Sequence, residues 1–271
     1  MKKEEQETIR TPKSQLNSLV DAALAIEKLR VAAEIRESHL VLQGRPDPET
    51  VELIKRLNGV EEYVDGRVAL FIVSHPAFHW FSRVKGVGKE NIGKVVGLVD
   101  ITKAPTPSSL WKFAGMAVVD GHSPRPVKGE KLAYNAELRS MCWRLAGSLM
   151  KASGKYYQYY LEQKERYTQR FDNAGVHIVS SASLLTKDGK KYESEGTISA
   201  GHVHNMALRK MIKLFLSHLW VVWREAEGLP VTKPYAIDQL GHDSYIDPWS
   251  FVDREAIVKK KPGRKKRAMI D

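Results

Sequence analysis

A glycine-containing turn between two apolar segments has the residue types that could bind a phosphate group. Gly86 and Gly88 can adopt backbone angles that a side chain disfavours, and Val87 between them can point inward. The segment after the turn has helical spacing, so its first turn would offer unpaired N–H groups and the positive end of a dipole. The alternative is a turn between two core helices. The phosphate-binding interpretation involves Lys85, Gly86, Val87, Gly88, Lys89, Asn91 and Lys94.

A serine in a polar loop is the second candidate for chemistry. Ser123 lies next to Pro124 in a segment with several positive charges. A serine hydroxyl attacks a phosphodiester only when a base or nearby positive charge activates it. The alternative is a polar turn residue beside a proline. The groups that could activate the hydroxyl are His122, Arg125, Lys128 and Lys131.

The positive charge of the chain is unevenly distributed. The formal net charge is +11. Residues 259–271 contain seven Lys/Arg and one Asp, a charge of +6, which leaves +5 for the other 258 residues. This pattern predicts a disordered tail that binds polyanions such as nucleic acid; a solubility tail or a nuclear-import signal is the alternative. Its basic residues are Lys259, Lys260, Lys261, Arg264, Lys265, Lys266 and Arg267.

The remaining composition indicates a globular, cytoplasmic protein. No run of about 18 apolar residues is present, so we expect no membrane span. The N-terminus lacks the apolar stretch of a secretory signal. The single Cys142 excludes an internal disulfide and a cysteine-cluster zinc site, and it suits a reducing compartment. We expect neither a cofactor nor a metal ion.

Helical spacing of apolar residues dominates the chain and predicts a mainly α fold. Thr11-Pro12 predicts the start of a helix that ends near Leu42. Asn58-Gly59 is expected to end a second helix, and a third is expected over 60–73. Further helices are expected at 110–115, 131–151, 155–172 and 202–227.

Residues 173–200 differ from the rest and predict a small irregular or β insertion, with a turn at Asp188-Gly189. We divide the chain into an N-terminal helical segment (1–75), a helical domain that contains the helix-hairpin-helix (76–255), and the disordered basic tail (256–271). The long apolar helices favour self-association as a homo-oligomer.

The order of motifs over residues 86–139 resembles the C-terminal domain of one family of insertion-sequence transposases. This family carries an N-terminal RuvC-like DEDD nuclease domain and a C-terminal serine domain. The resemblance implies a helix-hairpin-helix, then a loop with a nucleophilic serine, then an Asn-x-x-Leu-Arg helix. It extends loosely over residues 78–225. The matching motifs are Gly86-Val87-Gly88, Ile101, Pro107-Ser108-Ser109-Leu110-x-x-Phe113-Ala114-Gly115 and Asn135-x-x-Leu138-Arg139.

Two departures from the family pattern concern catalysis. The first 80 residues read as helices and lack strand-borne acidic residues suited to two metal ions. In the serine loop, Pro124 stands where the family has glycine. The resemblance therefore implies DNA binding more strongly than DNA cutting. It adds five residues to the expected DNA contacts: Arg125, Lys128, Lys131, Asn135 and Arg139.

Two further clusters have ordinary explanations. His202 and His204 could bind a metal, but at the start of a helix they point in different directions, which favours a capping or polar role. A tyrosine recombinase would need Arg and His residues around a tyrosine nucleophile, and the sequence does not supply this set. We therefore expect packing from Tyr156, Tyr157, Tyr159 and Tyr160.

These observations favour a DNA-binding protein related to the C-terminal domain of these transposases, associated with the nucleoid and active in mobile-element recombination. DNA is favoured over RNA as the partner. Two alternatives stay open. One is an active serine recombinase or transposase that uses Ser123 with a partner nuclease domain. The other is a structural nucleoid or RNA-binding protein.

Overall fold

Eight α-helices and two pairs of short strands form the part of the chain that the computed structural model describes, residues 12–118, 121–231 and 246–254. The prediction of a mainly α fold with a small β insertion is confirmed. The predicted tail lies outside the described residues. The helices are α1 (Pro12–Leu42), α2 (Pro48–Phe71), α3 (Phe78–Phe81), α4 (Lys89–Gly97), α5 (Pro107–Phe113), α6 (Ala136–Ala152), α7 (Lys155–Asn173) and α8 (Ala200–Ala226).

The first two helices form a long antiparallel pair. The carboxylate of Asp47 caps α2 by accepting the Glu49 N–H. Arg30 of α1 donates to Glu61 of α2 at 2.5 Å, which joins the two helices near their middle. The predicted break at Asn58-Gly59 is wrong, because α2 continues through it. A mid-helix glycine costs only about 1 kcal/mol, and packing along α1 offsets that cost.

The N-terminal helices share their core with the rest of the protein. Val20 and Val68 belong to the same cluster of buried side chains as Val95 of α4 and Phe215 of α8. The boundary at residue 75 stays a prediction, but this packing is continuous across it.

Helix α8 is the centre of the C-terminal half, as its apolar sequence predicts. Trp220 is fully buried, and its Nε1 donates to the Ala104 carbonyl at 2.7 Å. Helix α6 begins later than the predicted residue 131. Asn135 has extended backbone angles, and its side chain accepts the Leu138 N–H, so the helix starts at Ala136.

The insertion between α7 and α8 contains four strands of three residues each. Strands β2 (Leu185–Lys187) and β3 (Lys190–Tyr192) form the expected hairpin, and both turn residues, Asp188 and Gly189, have positive φ. Strands β1 (His177–Val179) and β4 (Thr197–Ser199) pair in parallel. This second pairing was not predicted, because three residues are too few to show a strand pattern.

Residues 246–254, here called the C-terminal strap, run back over the body of the protein. Trp80 Nε1 donates to the Pro248 carbonyl at 2.9 Å, and the ring of Phe251 contacts Tyr156. The buried His218 holds the start of the strap, because its Nε2 donates to the Ile246 carbonyl at 3.0 Å. The other ring nitrogen, Nδ1, then accepts the Tyr156 hydroxyl at 2.6 Å. His218 is therefore neutral in the folded protein.

We expect this neutral histidine to make the protein less stable in mild acid. Burial lowers the pKa of His218 to about 4, whereas its unfolded value is near 6.5. Between these pH values the unfolded chain binds the extra proton. The free energy of unfolding should therefore be fully retained above pH 6.5 and fall by up to about 3 kcal/mol as the pH drops to 4.

Urea unfolding between pH 4.5 and 7.5 measures this loss. The control is His218→Gln, whose side chain can keep both hydrogen bonds without titrating. The carboxylates should contribute equally to the pH dependence of stability in the wild type and the variant, so their effect cancels in the comparison. The wild type should lose more stability than the variant over this range, and equal pH slopes would contradict the assignment.

None of the described helices has both the length and the apolar character that crossing a lipid bilayer demands.

Candidate nucleic-acid interface

The predicted hairpin joins the one-turn helix α3 to α4. Of its two glycines, only Gly86 has a positive φ, at +85°. Gly88 has a φ of −78° and is the N-cap of α4, so the expectation that both glycines need left-handed backbone is wrong. Val87 packs against the core, as predicted.

Gly86 also lies directly against helix α6. A Cβ built on it would approach the Ser148 carbonyl oxygen at 2.7 Å and the Leu149 Cα at 2.9 Å, whereas a Cβ on Gly88 would meet nothing within 4 Å. The glycine at position 86 is therefore required by packing and backbone angle together. Position 88 tolerates a side chain.

We therefore expect opposite outcomes for two alanine variants of this turn. Gly86→Ala should lower the free energy of unfolding by about 2 kcal/mol or more, because it adds overpacking to an unfavourable φ. Gly88→Ala should lower it by about 1 kcal/mol at most, as for an unfavourable N-cap residue. Urea unfolding of both variants measures the difference. Equal losses would show that the contact with α6 is unimportant.

An internal carboxylate occupies part of the hairpin. Asp253 of the strap accepts the Lys85 N–H and the Lys155 N–H, each at 2.8 Å. The Lys155 amide is the first of α7, and Gly154 gives that helix no side-chain cap. These two amides are therefore already paired with an anion of the protein itself. The side chains of Lys85, Lys89 and Glu90 remain exposed, the last two in the first turn of α4; we call these groups the hairpin surface.

Three predicted contacts have other roles in the structure. Lys94 is buried, and its Nζ lies 2.9 Å from Asp65 Oδ1 and 3.4 Å from Glu27 Oε2. Lys94 is therefore unavailable to DNA, and we remove it from the predicted DNA contacts. Asn135 uses its carbonyl oxygen to cap α6. Asn91 is half-buried and donates to the Ser148 hydroxyl at 3.4 Å.

Ser123 lies between two arginines. Its Oγ accepts one hydrogen bond from Arg139 Nη2 and one from Arg209 Nη2, each at 3.0 Å. Arg139 also donates to the Pro124 carbonyl at 2.7 Å, and its guanidinium lies 4.9 Å from the centre of the Tyr134 ring. The sequence predicted that Ser123, Arg125 and Arg139 share a site. It did not predict Arg209.

The two guanidiniums have no negative partner among the described residues. Neither Arg139 nor Arg209 forms an ion pair with a carboxylate in the part of the chain that the structure describes. Burial, and next the charge of Arg139, lower the pKa of Arg209. The Arg209 Nε is buried and lacks a hydrogen-bond partner among the described atoms. Such an arrangement is favourable only when an anion joins it.

A cleft of about 1040 Å³ extends from Ser123 between α7, α8 and the β insertion. We call it the basic cleft, because its lining contains six Lys/Arg and one acidic residue. Glu193, the acidic residue, already accepts the Ser199 N–H and contacts the His202 ring. The basic residues are Arg125, Arg170, Lys191, Arg209, Lys210 and Lys213.

Helix α8 provides three of the five basic cleft residues that the sequence analysis missed. One face of this helix carries, at alternating steps of three residues and one, His202, Asn205, Met206, Arg209, Lys210 and Lys213. That periodic polar face is a signal in the sequence, but the apolar residues around it dominate the pattern. Burial, followed by repulsion from Lys210 and Arg209, lowers the pKa of Lys213.

Two residues of the predicted serine site lie outside the cleft. Lys128 and Lys131 are exposed and do not line it. Arg144, on the same helix as Arg139, forms an ion pair with Glu27.

The histidine and tyrosine clusters have structural roles. His202 contacts Glu193 at 2.8 Å, and His204 pairs with the Tyr160 hydroxyl at 2.7 Å. In the described ranges, no group of three or more His, Cys, Asp or Glu residues is arranged to hold a metal ion. Tyr156 is buried, and burial raises its pKa well above the usual value, which opposes nucleophilic use.

Comparisons of the chain with protein-family profiles, with curated proteins and with solved structures found no match.

Proposed function

We propose that the protein binds DNA along its phosphate backbone and acts in mobile-element recombination, as a relative of the transposase C-terminal domain that it resembles. The observation that carries this proposal is the pair of guanidiniums at Ser123. Arg139 and Arg209 converge on one neutral oxygen without a carboxylate partner among the described residues. A phosphate oxygen is the acceptor that such a pair binds best.

The hairpin surface supports the same function. Lys85 and Lys89 are exposed beside the first turn of α4, where helix N–H groups favour a phosphate. Contacts of this kind hold the backbone without reading sequence. The Asp253 carboxylate accepts two backbone N–H groups beside this surface, those of Lys85 and Lys155, which supports a preference of the region for oxyanions.

Fluorescence anisotropy with labelled DNA, repeated from 50 to 300 mM salt, tests the proposal. Four cations of the folded body, Lys85, Lys89, Arg139 and Arg209, in contact with phosphates predict a slope of log K against log salt of about −3 for single-stranded DNA, and a steeper slope with the tail. A variant lacking residues 255–271 should bind more weakly but still bind. Loss of all binding in this variant would show that the folded body is not a DNA-binding surface.

A second candidate function follows from the hydrogen bonds of Ser123. Because its Oγ accepts from two guanidiniums, the hydroxyl hydrogen stays free to leave and the alkoxide would be stabilised. The Oγ could then attack a DNA phosphorus, forming a phosphoserine ester as a P–O bond of the strand breaks. The Ser123 proton would pass to solvent, and the departing strand oxygen would take up a proton.

Denaturing gels of the protein incubated with supercoiled and with linear DNA test this enzyme function. A covalent protein–DNA adduct that is absent with Ser123→Ala would establish it. DNA binding without an adduct would leave the chain as a binding protein.

A further inference from the structure

The lining of the basic cleft contains aromatic rings as well as positive charges. Tyr167 of α7 and Tyr192 of β3 both line it. Tyr192 is 42% exposed, so part of its ring surface is open to a ligand in the cleft. Arg170 follows Tyr167 by one helical turn, and Lys191 precedes Tyr192. Each ring therefore has a cation beside it in the sequence of its own element.

This combination distinguishes between two forms of DNA. In a duplex the base faces are stacked inside and only phosphates and groove edges are presented to a protein. A row of cations alone would suit that ligand. In an unpaired strand the base faces are exposed, and aromatic side chains interleaved with cations are the groups that bind it.

The burial of Arg139 and Arg209 also favours an unpaired strand as the ligand. Ser123, Arg139 and Arg209 are all half-buried. Ser123 and Arg209 line the cleft and Arg139 reaches it through the Ser123 Oγ, so a phosphate must enter the protein to contact both guanidiniums. Phosphates of one strand can enter a concave site of this size, whereas the rigid convex surface of a duplex meets exposed side chains first.

We propose that the basic cleft binds an unpaired DNA strand, with one phosphate between Arg139 and Arg209 at Ser123 and neighbouring bases stacked on Tyr192 and Tyr167. This inference rests on the proposed DNA-binding function and specifies the form of DNA that the cleft takes. The hairpin surface and the tail contact phosphates of either form.

The test compares Tyr192→Ala with the wild type by anisotropy on a single-stranded 20-mer, a duplex of the same sequence and the corresponding RNA. The matched control is Tyr63→Ala, because Tyr63 is 68% exposed on α2 and does not line the cleft. We expect Tyr192→Ala to weaken binding of the single strand about tenfold and to leave duplex binding unchanged. Tyr63→Ala should change neither.

Each other result has a definite meaning. If Tyr192→Ala leaves single-strand affinity unchanged while the wild type binds DNA, the inference falls and the proposed function stands. If the wild type binds neither form of DNA, both fall. If the wild type prefers the RNA and Tyr192→Ala removes that preference, the ligand of the cleft is RNA and the DNA assignment is overturned. Because Tyr192 lies at an exposed sheet edge, circular dichroism should show unchanged helix content in the variant.

Discussion

Replacing Arg209 with methionine should weaken DNA binding about 10- to 100-fold, because a charge-assisted hydrogen bond to phosphate contributes about 1.5–3 kcal/mol. The slope of log K against log salt should become shallower by about one unit, as expected for the loss of one phosphate contact. Anisotropy with a single-stranded DNA over a range of salt concentrations measures both quantities.

The same substitution should leave the fold intact or stabilise it. Burial and repulsion from Arg139 both lower the pKa of Arg209, and its Nε has no described partner, so the charge is unfavourable in the absence of an anion. Methionine fills a similar volume without that cost. Urea unfolding should therefore show no loss of stability while binding is lost. A variant that both unfolds more easily and binds less would indicate a structural role for Arg209.

Arg36→Met provides the matched control for net charge. Arg36 is exposed on α1 and does not line the cleft. Its loss should change DNA affinity less than about twofold, which is the scale expected for an exposed charge far from the ligand. A loss equal to that of Arg209→Met would mean that only the total charge of the protein matters.

Alanine substitution should destabilise the protein very differently at two lysines of helix α4. Lys94→Ala should lower the free energy of unfolding by about 3 kcal/mol, because it leaves the half-buried Asp65 without its positive partner and removes the buried lysine side chain from its packing. Lys89 of the same helix is exposed, so Lys89→Ala should lower the free energy of unfolding by about 0.5 kcal/mol or less. Urea unfolding measures both losses.

The DNA affinities of these two variants should show the reverse order. Lys89→Ala should reduce affinity and make the salt dependence shallower, because the side chain lies at the hairpin surface. Lys94→Ala should bind as the wild type does at a temperature where it remains folded. If Lys94→Ala instead weakened binding while fully folded, the removal of Lys94 from the contact set would be wrong.

The difference between Lys89 and Lys94 shows that the sequence alone does not predict which lysines of a helix are buried. A lysine near a glycine turn looks the same in sequence whether it points to solvent or into the core. Its environment is decided by Glu27 and Asp65, which lie 67 and 29 residues away in the chain. Long-range ion pairs of this kind leave no local pattern, so the sequence placed Lys94 with the exposed lysines.

Local signals were more informative. The apolar spacing after Pro12 predicted α1 and its end near Leu42, and Asp188-Gly189 predicted the β2–β3 turn. At Gly59 the local signal was wrong, because packing of α2 on α1 outweighs the preference of glycine for a turn. For the candidate site, the serine loop and Arg139 were predicted from motif order. Arg209 was missed because its partner in space, Ser123, lies 86 residues away.

The strap also sets the reach of the basic tail. Asp253 and Arg254 donate their backbone N–H groups to the Arg83 carbonyl, so the chain leaves the described body beside the hairpin. Lys259 follows Arg254 by five residues and lies within about 18 Å of it by chain length alone. Because the tail is covalently attached at this point, we expect its charges to have a high effective concentration for a ligand bound at the hairpin. A separate peptide of the same sequence, added in solution to a tail-less protein, would lack this advantage.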